Sequence, residues 1–268
     1  MTPRRLLPPQ LAWLNEMGAD THWLTARELS VQPPSVRPPS VLQPPVQPPV
    51  LRPSVPQPRR ADGATQAPPV EAPSLATVDL DALAQAVGTC TRCPLHAQRT
   101  QAVPGAGVRV KPLYFIVGEQ PGIEDDASGQ PFQGDAGNLL RAMMVAARLP
   151  EAESAYLTNV VKCRALGGRA PSAEEIAACL PYLHREIMLV RPRWILALGK
   201  TAAQAILGVS GDMDALRGGP HAWTAPDGTR IPVWVTHHPS SLLVRSTGKP
   251  EAWRDLAALA QAIRTAGD

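Results

Sequence analysis

The sequence predicts an α/β fold: a three-layer α/β/α sandwich with a central, mainly parallel four-stranded sheet, preceded by a disordered proline-rich tail. Short apolar runs alternate with longer stretches of helical periodicity in the second half of the chain. Strands that alternate with helices form a parallel sheet with helices on both faces. Many of the 31 prolines lie together near the N-terminus, where they exclude regular secondary structure.

Four apolar runs are the predicted strands. The first, 113–117, is Leu-Tyr-Phe-Ile-Val, which indicates a strand buried on both faces. Three further runs of mainly apolar residues occupy 156–161, 194–198 and 231–236.

Helical patterns separate these strands. They cover 138–149, 172–190 and 201–207, and a last helix is predicted over 251–264. The clearest start is at Ser172, which forms a predicted capping box with Glu175 directly after Pro171.

Three regions follow from this pattern. Residues 1–31 form a short N-terminal segment with Leu11, Leu14 and Met17 at amphipathic spacing. Residues 32–75 repeat Gln-Pro-Pro and Arg-Pro-Pro units, which predicts a disordered or polyproline-II spacer; an SH3-type ligand is the alternative. The folded domain is predicted over 76–268.

Charge and hydropathy restrict the location and the partners. A net charge of +3 and a pI of about 8.8 permit a nucleic-acid partner without requiring one. The N-terminus lacks the apolar core of a signal peptide, and no run is long enough to span a membrane. We therefore expect a cytoplasmic protein with no membrane association. We also expect it to be a monomer.

A glycine- and proline-rich loop follows the first strand. It begins as Gly118-Glu119-Gln120-Pro121-Gly122 and continues to Gly134, with one aromatic residue, Phe132. Ligands of parallel α/β folds bind at the carboxyl ends of the strands, and glycines let the backbone approach them closely. The loop is therefore a predicted binding site.

Four cysteines lie in the predicted folded domain. Cys90 and Cys93 form a C-x-x-C motif, and Cys163 and Cys179 follow at a distance. Two ligands from a tight turn and two from distant points are typical of a zinc site or an iron–sulfur cluster. Buried thiols and a redox C-x-x-C remain alternatives.

The chain from about 80 to 265 resembles the family 4, or iron–sulfur, uracil-DNA glycosylases. The order of motifs carries this resemblance: the cysteine pair with Arg99 and Thr100, the G-E-x-P-G and G-x-P-F-x-G elements from Gly118, then N-x-V-K-C from Asn159 and H-P-S-x-L-L from His238. The resemblance implies a [4Fe–4S] cluster, with these ligands: Cys90, Cys93, Cys163 and Cys179.

The resemblance also implies an activity, the excision of uracil from DNA as a free base, with uracil-containing DNA as the partner. Phe132 would stack on uracil, Asn159 would read the edge of the base, and His238 would stabilise the leaving anion near O2. For Phe132 and Asn159 a purely structural role is the alternative. The remaining implied roles are catalytic for Asp125 and Glu119, substrate-binding for Gly118, Gln120 and Gly122, and DNA-binding for Ser240 and for Leu242 as a wedge.

Two positions depart from the family pattern. Gln120 replaces the usual Ala and resembles a branch that is trapped covalently on its product, but residues 164–171 lack the nucleophilic histidine of that branch. We therefore predict no covalent adduct. Asp125 replaces the usual Glu, which predicts weaker activity or tolerance of 5-substituted uracil. A non-catalytic iron–sulfur DNA-binding protein and a redox protein of the same fold are the alternative functions.

The N-terminal segment suggests a second partner. Residues 10–25 resemble the N-terminal peptide of the psi subunit of bacterial DNA polymerase III, which docks on the chi subunit. The segment is thus a candidate docking site for a chi-like replication protein, and an unspecifically adhesive tail is the alternative.

Overall fold

The folded region is built on one mixed sheet. The computed structural model describes residues 75, 77–149 and 154–267, so the predictions for the segment 1–31 and for nearly all of 32–75 lie outside the described residues. The strands of the described part are β1 (Ala106–Gly107), β2 (Tyr114–Gly118), β3 (Ala155–Asn159), β4 (Trp194–Leu198), β5 (Gly218–Thr224) and β6 (Arg230–Thr236).

The four predicted strands form the centre of this sheet. The strand order is β1-β3-β2-β4-β6-β5, and β3, β2, β4 and β6 run parallel to one another. Two strands that the sequence analysis did not predict, β1 and β5, pair antiparallel on the outer edges and extend the sheet from four strands to six. The α/β class with a mainly parallel sheet is confirmed.

Helices cover both faces of the sheet. In the described part of the chain they are α1 (Leu80–Gly88), α2 (Ile123–Ser128), α3 (Asp135–Ala146), α4 (Ala173–Val190), α5 (Gly199–Leu207), α6 (Met213–Leu216), α7 (Pro239–Val244) and α8 (Lys249–Gly267). The predicted capping box at the start of α4 is present, because Ser172 N donates to Glu175 Oε2 and Glu175 N donates to Ser172 Oγ. In these residues, no helix has the length and apolarity that crossing a membrane requires.

Two apolar cores lie on opposite faces of the sheet. Side chains alternate along each strand, so Phe115 and Val117 of β2 join one core while Tyr114 and Ile116 join the other. The first core includes residues of α1, α4 and α5, and the second includes residues of α3, α7 and α8. This arrangement is the predicted three-layer sandwich.

The parallel strands all end at the same edge of the sheet. Gly118, the last residue of β2, is the register partner of Asn159, the last residue of β3. The loops that follow these strands and β4 and β6 therefore meet above one edge, as expected for a parallel sheet.

Candidate active site

A cleft of about 670 Å³ opens at this edge of the sheet. Its walls come from the loop after β2, the turn after β3 and the starts of α5 and α7. Most of the predicted site residues line it: Glu119, Gln120, Gly122, Asp125, Phe132, Asn159, His238 and Ser240.

Gly118 ends β2 at the point where three functional side chains of the cleft converge. A Cβ atom at this position would clash with Asn159 Oδ1 and would lie 2.9 Å from Phe132 Cζ and 3.1 Å from His238 Nε2. Because residue 118 has no side chain, Phe132, Asn159 and His238 can approach one another closely. The predicted substrate contact of Gly118 stays a prediction.

Asn159 has an unpaired amide at the floor of the cleft. Asn159 is 1% exposed, and its Nδ2 atom has no hydrogen-bond partner. Leaving a buried donor unpaired costs about 1–3 kcal/mol, so native proteins rarely do so without a reason. An amide that opens onto a cleft and lacks a protein partner indicates a place for a ligand acceptor.

His238 is fixed as a neutral donor that faces the same floor. Its Nδ1 accepts a hydrogen bond from the backbone N of Ser240 at 3.2 Å and lies 2.7 Å from Ser240 Oγ. Because Nδ1 is an acceptor, the ring hydrogen is on Nε2. Burial lowers the pKa of His238 to about 4, and the Asp125 carboxylate opposes this shift only in part.

Phe132 is held in an unusual backbone conformation. Its φ is 59°, a left-handed value that is rare for a bulky residue and is often found at functional sites. Arg141 Nη2 donates to its carbonyl at 3.0 Å, and its ring lies 6.2 Å from the His238 ring at an angle of 24°. The helix α3 can approach this carbonyl only because residue 137 is glycine, since a Cβ there would overlap it.

Two predicted catalytic carboxylates also order the loops of the cleft. Asp125, which is 6% exposed, accepts from Gly122 N at 3.1 Å and from Gln133 N at 2.7 Å, so it closes the loop that carries Phe132. Glu119 accepts from Thr201 Oγ1 at 2.5 Å and so links the end of β2 to the start of α5.

Gln120 forms a bridge between two loops. Its Oε1 accepts from Ala165 N at 3.0 Å, and its Nε2 donates to the Arg169 carbonyl at 2.7 Å. Both ends of the amide are therefore used by the segment that follows β3. The predicted substrate contact of Gln120 is thus accompanied by a structural role that the sequence analysis missed.

The predicted DNA wedge, Leu242, is buried in this structure. It is 1% exposed and packs in the second core, so its side chain would have to leave that core to enter a base stack. The next residue, Leu243, is 53% exposed and lines the cleft. Ser240, the other predicted DNA contact, is exposed on the cleft wall.

All four cysteines line one separate pocket, together with Arg92, Lys162 and Tyr182 among others. Arg99 Nη1 donates to Cys163 Sγ at 3.0 Å, and Lys162 N donates to Cys179 Sγ at 3.3 Å. Burial raises the pKa of Cys163 and raises that of Cys179 to about 12, so these free thiols stay protonated unless a metal displaces the proton.

The four cysteines are candidate ligands of a metal centre. Within the described ranges, no three His, Cys, Asp or Glu side chains converge as ligands of a single metal ion. Four cysteines around one pocket, with two N–H donors directed at sulfur atoms, fit a thiolate-held metal centre such as a zinc ion or an iron–sulfur cluster.

Comparison with known proteins identifies the family. The profile of the uracil DNA glycosylase superfamily matches residues 104–257, which is more than half of the chain. The chain belongs to this superfamily. The matched range contains Phe132, Asn159 and His238, which line the cleft, and Gly118, which lies beside them.

Several members of the superfamily are similar over most of their length. The type-4 uracil-DNA glycosylase of Pyrobaculum aerophilum is 37% identical over 183 residues, or 67% of this chain and 92% of that protein. The type-4 uracil-DNA glycosylase of Thermotoga maritima is 39% identical over 165 residues, or 61% of this chain and 83% of that protein. A type-5 uracil-DNA glycosylase of Pyrobaculum aerophilum is 32% identical over 149 residues, or 50% of this chain and 64% of that protein. The resemblance to the family 4 proteins is thus confirmed.

Proposed function

We propose that this superfamily member is a monofunctional uracil-DNA glycosylase, which flips uracil out of DNA, hydrolyses its N-glycosidic bond and leaves an abasic site. The observation that carries the proposal is the unpaired buried amide of Asn159, which lies beside Phe132 and His238 at the floor of one cleft. The product would enter base excision repair of deaminated cytosine. A non-catalytic DNA-binding role is not favoured, because a binding module does not need this set of side chains.

Recognition of the base follows from the chemistry of the floor. The Asn159 amide offers a donor and an acceptor, which match the O4 acceptor and the N3–H donor of uracil. The Phe132 ring offers an apolar face on which a flipped base can stack. Because the amide nitrogen Nδ2 has no protein partner to give up, its hydrogen bond to uracil replaces an unsatisfied state and favours binding.

Bond cleavage leaves negative charge on the uracil ring. The Nε2–H of His238 is the donor that we assign to the O2 region, where this charge develops in the transition state. Burial keeps the imidazole neutral. The ring therefore donates a hydrogen bond to the developing anion without placing a full positive charge beside the uracil before the bond breaks. Glu119 and Asp125 line the same cleft, and their carboxylates can stabilise the positive character of the sugar and orient the attacking water.

Contacts to DNA are proposed for the start of α7. The exposed Ser240 suits a phosphate, and the exposed Leu243 takes the wedge role for which Leu242 is too deeply buried. A wedge must be exposed before DNA binds, because it fills the space that the flipped base leaves.

The four cysteines suit a [4Fe–4S] cluster. Cys90, Cys93, Cys163 and Cys179 would be its thiolate ligands, with Arg99 and the Lys162 amide as donors to two of the sulfur atoms. The cluster would supply structural bracing, since its ligands join the segment after α1, the turn after β3 and α4 beside the first core.

Three further proposals concern the state of the protein. We propose that it is a cytoplasmic monomer, that a chi-like replication protein binds residues 10–25, and that no covalent adduct with DNA forms. A denaturing gel of the protein mixed with uracil-containing single-stranded DNA tests the last proposal. We expect no shifted band, because residues 164–171 contain no histidine; a heat-stable shifted band would contradict it.

The activity is tested with a fluorescent oligonucleotide that contains one uracil. After incubation and alkali treatment, we expect strand cleavage at that position by the wild-type protein and no cleavage of the matched thymine oligonucleotide. Asn159→Ala and His238→Ala should each lower the rate of base release by about 100-fold or more, as loss of a main transition-state contact does. Absence of uracil release by the wild-type protein on both single- and double-stranded DNA would overturn the proposal.

A further inference from the structure

Lys162 places a positive charge deep inside the protein. Its side chain and that of Glu186 are each 2% exposed, and the Lys162 Nζ–Glu186 Oε2 distance is 2.7 Å. The ammonium also donates to Thr158 Oγ1 at 2.5 Å and to the Asn159 carbonyl at 2.8 Å. An ammonium group has three hydrogens, and these three acceptors use all of them.

Such a pair is not the most stable way to fill a protein interior. Desolvation of two buried charges offsets most of their attraction, so an apolar pair of the same volume often stabilises a fold equally well. The role of this ion pair is therefore better explained by the groups that it positions than by its contribution to stability.

The partner of Lys162 is itself firmly anchored. Glu186 is part of helix α4, and its Oε2 also accepts from Thr158 Oγ1 at 2.9 Å. Its Oε1 accepts from Gly105 N at 3.0 Å. The ammonium is thereby fixed with respect to α4, and its third hydrogen bond fixes the backbone of Asn159, the last residue of β3.

The backbone of Lys162 connects the same residue to the cysteine pocket. Its N–H donates to Cys179 Sγ at 3.3 Å, its carbonyl accepts from Val103 N at 2.8 Å, and the next residue is Cys163. One residue thus contacts a sulfur atom of the proposed cluster through its amide and the backbone of Asn159 through its side chain.

We propose that Lys162 is a positioning residue that fixes the base-reading amide of Asn159 and connects it mechanically to the cysteine pocket. This inference rests on the proposed function. Asn159 pairs with Gly118 of β2, whereas β1, on the other side of β3, reaches only Tyr156 and Leu157, so the contacts of the Asn159 carbonyl help to set its orientation. A displacement of about 1 Å at a reacting group can cost about 100-fold in rate.

The test is a double-mutant cycle with the full chain. Lys162→Met is combined with Glu186→Gln, so that neither charge is left alone in the interior. This pair of substitutions is made in the wild-type and in the Asn159→Ala background, and single-turnover release of uracil from single-stranded DNA is measured. We expect a loss of about 10–100-fold in the first background and less than about twofold in the second, because the lysine acts through Asn159.

A second readout separates positioning from loss of the metal site. Iron content and absorbance at about 400 nm should be unchanged in the paired variant, since its contact with Cys179 uses the backbone amide. The matched control is Arg109→Met with Asp81→Asn, which removes an exposed ion pair of 2.6 Å and should leave the rate unchanged.

The outcomes are distinct. If the wild-type protein releases no uracil, the proposed function fails and this inference fails with it. If the wild-type protein is active but the paired variant loses the same factor in both backgrounds, loses its iron in proportion to its rate, or loses nothing, the inference alone is wrong.

Discussion

At the scale of single residues, the site depends on a missing side chain. Gly118 has no Cβ, and the space that a Cβ would take is used by Asn159, Phe132 and His238. The glycine is therefore not required here for its backbone angles but for the close approach of other groups.

Gly118→Ala should abolish most of the activity. The added methyl group would push Asn159 and Phe132 apart by more than a few tenths of an ångström, and we expect kcat/KM for uracil release to fall by about 100-fold or more. Gly88→Ala is the control, since a Cβ at that position meets no atom within 4 Å. Wild-type activity of Gly118→Ala would show that the floor of the cleft is arranged differently.

The neutral state of His238 predicts a specific dependence on pH. Its pKa is lowered from the ordinary value of 6.5 to about 4 by burial, so the unfolded chain binds a proton more readily than the folded protein. Its contribution to stability is therefore complete above pH 6.5 and is lost as the pH falls from 6.5 towards 4. The loss should reach about 3 kcal/mol at most.

Urea unfolding at pH 7 and pH 4.5 measures this contribution. The wild-type protein should lose more stability between these values than His238→Asn, in which asparagine keeps an acceptor at the start of α7 without a titrating group. Uracil release by the wild-type protein should likewise stay constant down to about pH 5, below the usual range for histidine. An activity midpoint near 6.5 would contradict the burial of the ring.

At the scale of secondary-structure elements, two adjacent leucines of helix α7 have different surroundings. Leu242 faces the second core, whereas Leu243 faces the cleft. The sequence motif contains both residues and does not distinguish them, because the direction of each side chain depends on how α7 packs against the sheet.

Leucine-to-alanine substitutions should separate these roles. Leu242→Ala removes buried methyl groups and should lower the free energy of unfolding by about 2–5 kcal/mol. Leu243→Ala should change stability by less than about 0.5 kcal/mol, as exposed positions do. It should slow uracil release from double-stranded DNA more than from single-stranded DNA, since only the duplex requires a wedge. The reverse pattern would restore Leu242 as the wedge.

The elements that the sequence predicted correctly are those with a strong local signal. Strands β2 and β4 are continuous apolar runs because helices cover both faces of the sheet. The edge strand β1 has two residues, and β5 contains Gly218, Gly219 and Pro220, so neither has an apolar pattern to detect. Their pairing is set by the backbone of strands that are distant in sequence.

In the candidate site too, some features have a local sequence signal and others do not. Phe132, Asn159 and His238 were predicted from motif resemblance, and the fold brings them together. The bridge from Gln120 to Ala165 and Arg169 was not predictable, because it joins residues about 45–49 positions apart in sequence. Such contacts depend on where two loops meet, which no local pattern encodes.

At the scale of the whole molecule, the cysteine pocket and the cleft meet at the turn after β3. Asn159 ends β3, and Cys163 follows four residues later in the turn after it. The Arg99 guanidinium joins this turn to α1, because it donates to Cys163 Sγ and to the Gly88 carbonyl. Occupation of the pocket should therefore influence both the stability of the domain and the order of the cleft.

Removal of one ligand tests this connection. Cys179→Ser should lose absorbance at about 400 nm and lower the melting temperature by about 10 °C, which corresponds to roughly 3–4 kcal/mol for a domain of this size. Its uracil release should fall further than the folded fraction explains, since Cys179 accepts from the amide of Lys162 and Lys162 holds Asn159. Ile187→Ala, a core truncation on the same helix, provides a variant that is destabilised without loss of a thiol. If both variants lose activity only in proportion to unfolding, the metal site braces the domain as a whole and does not act on the cleft.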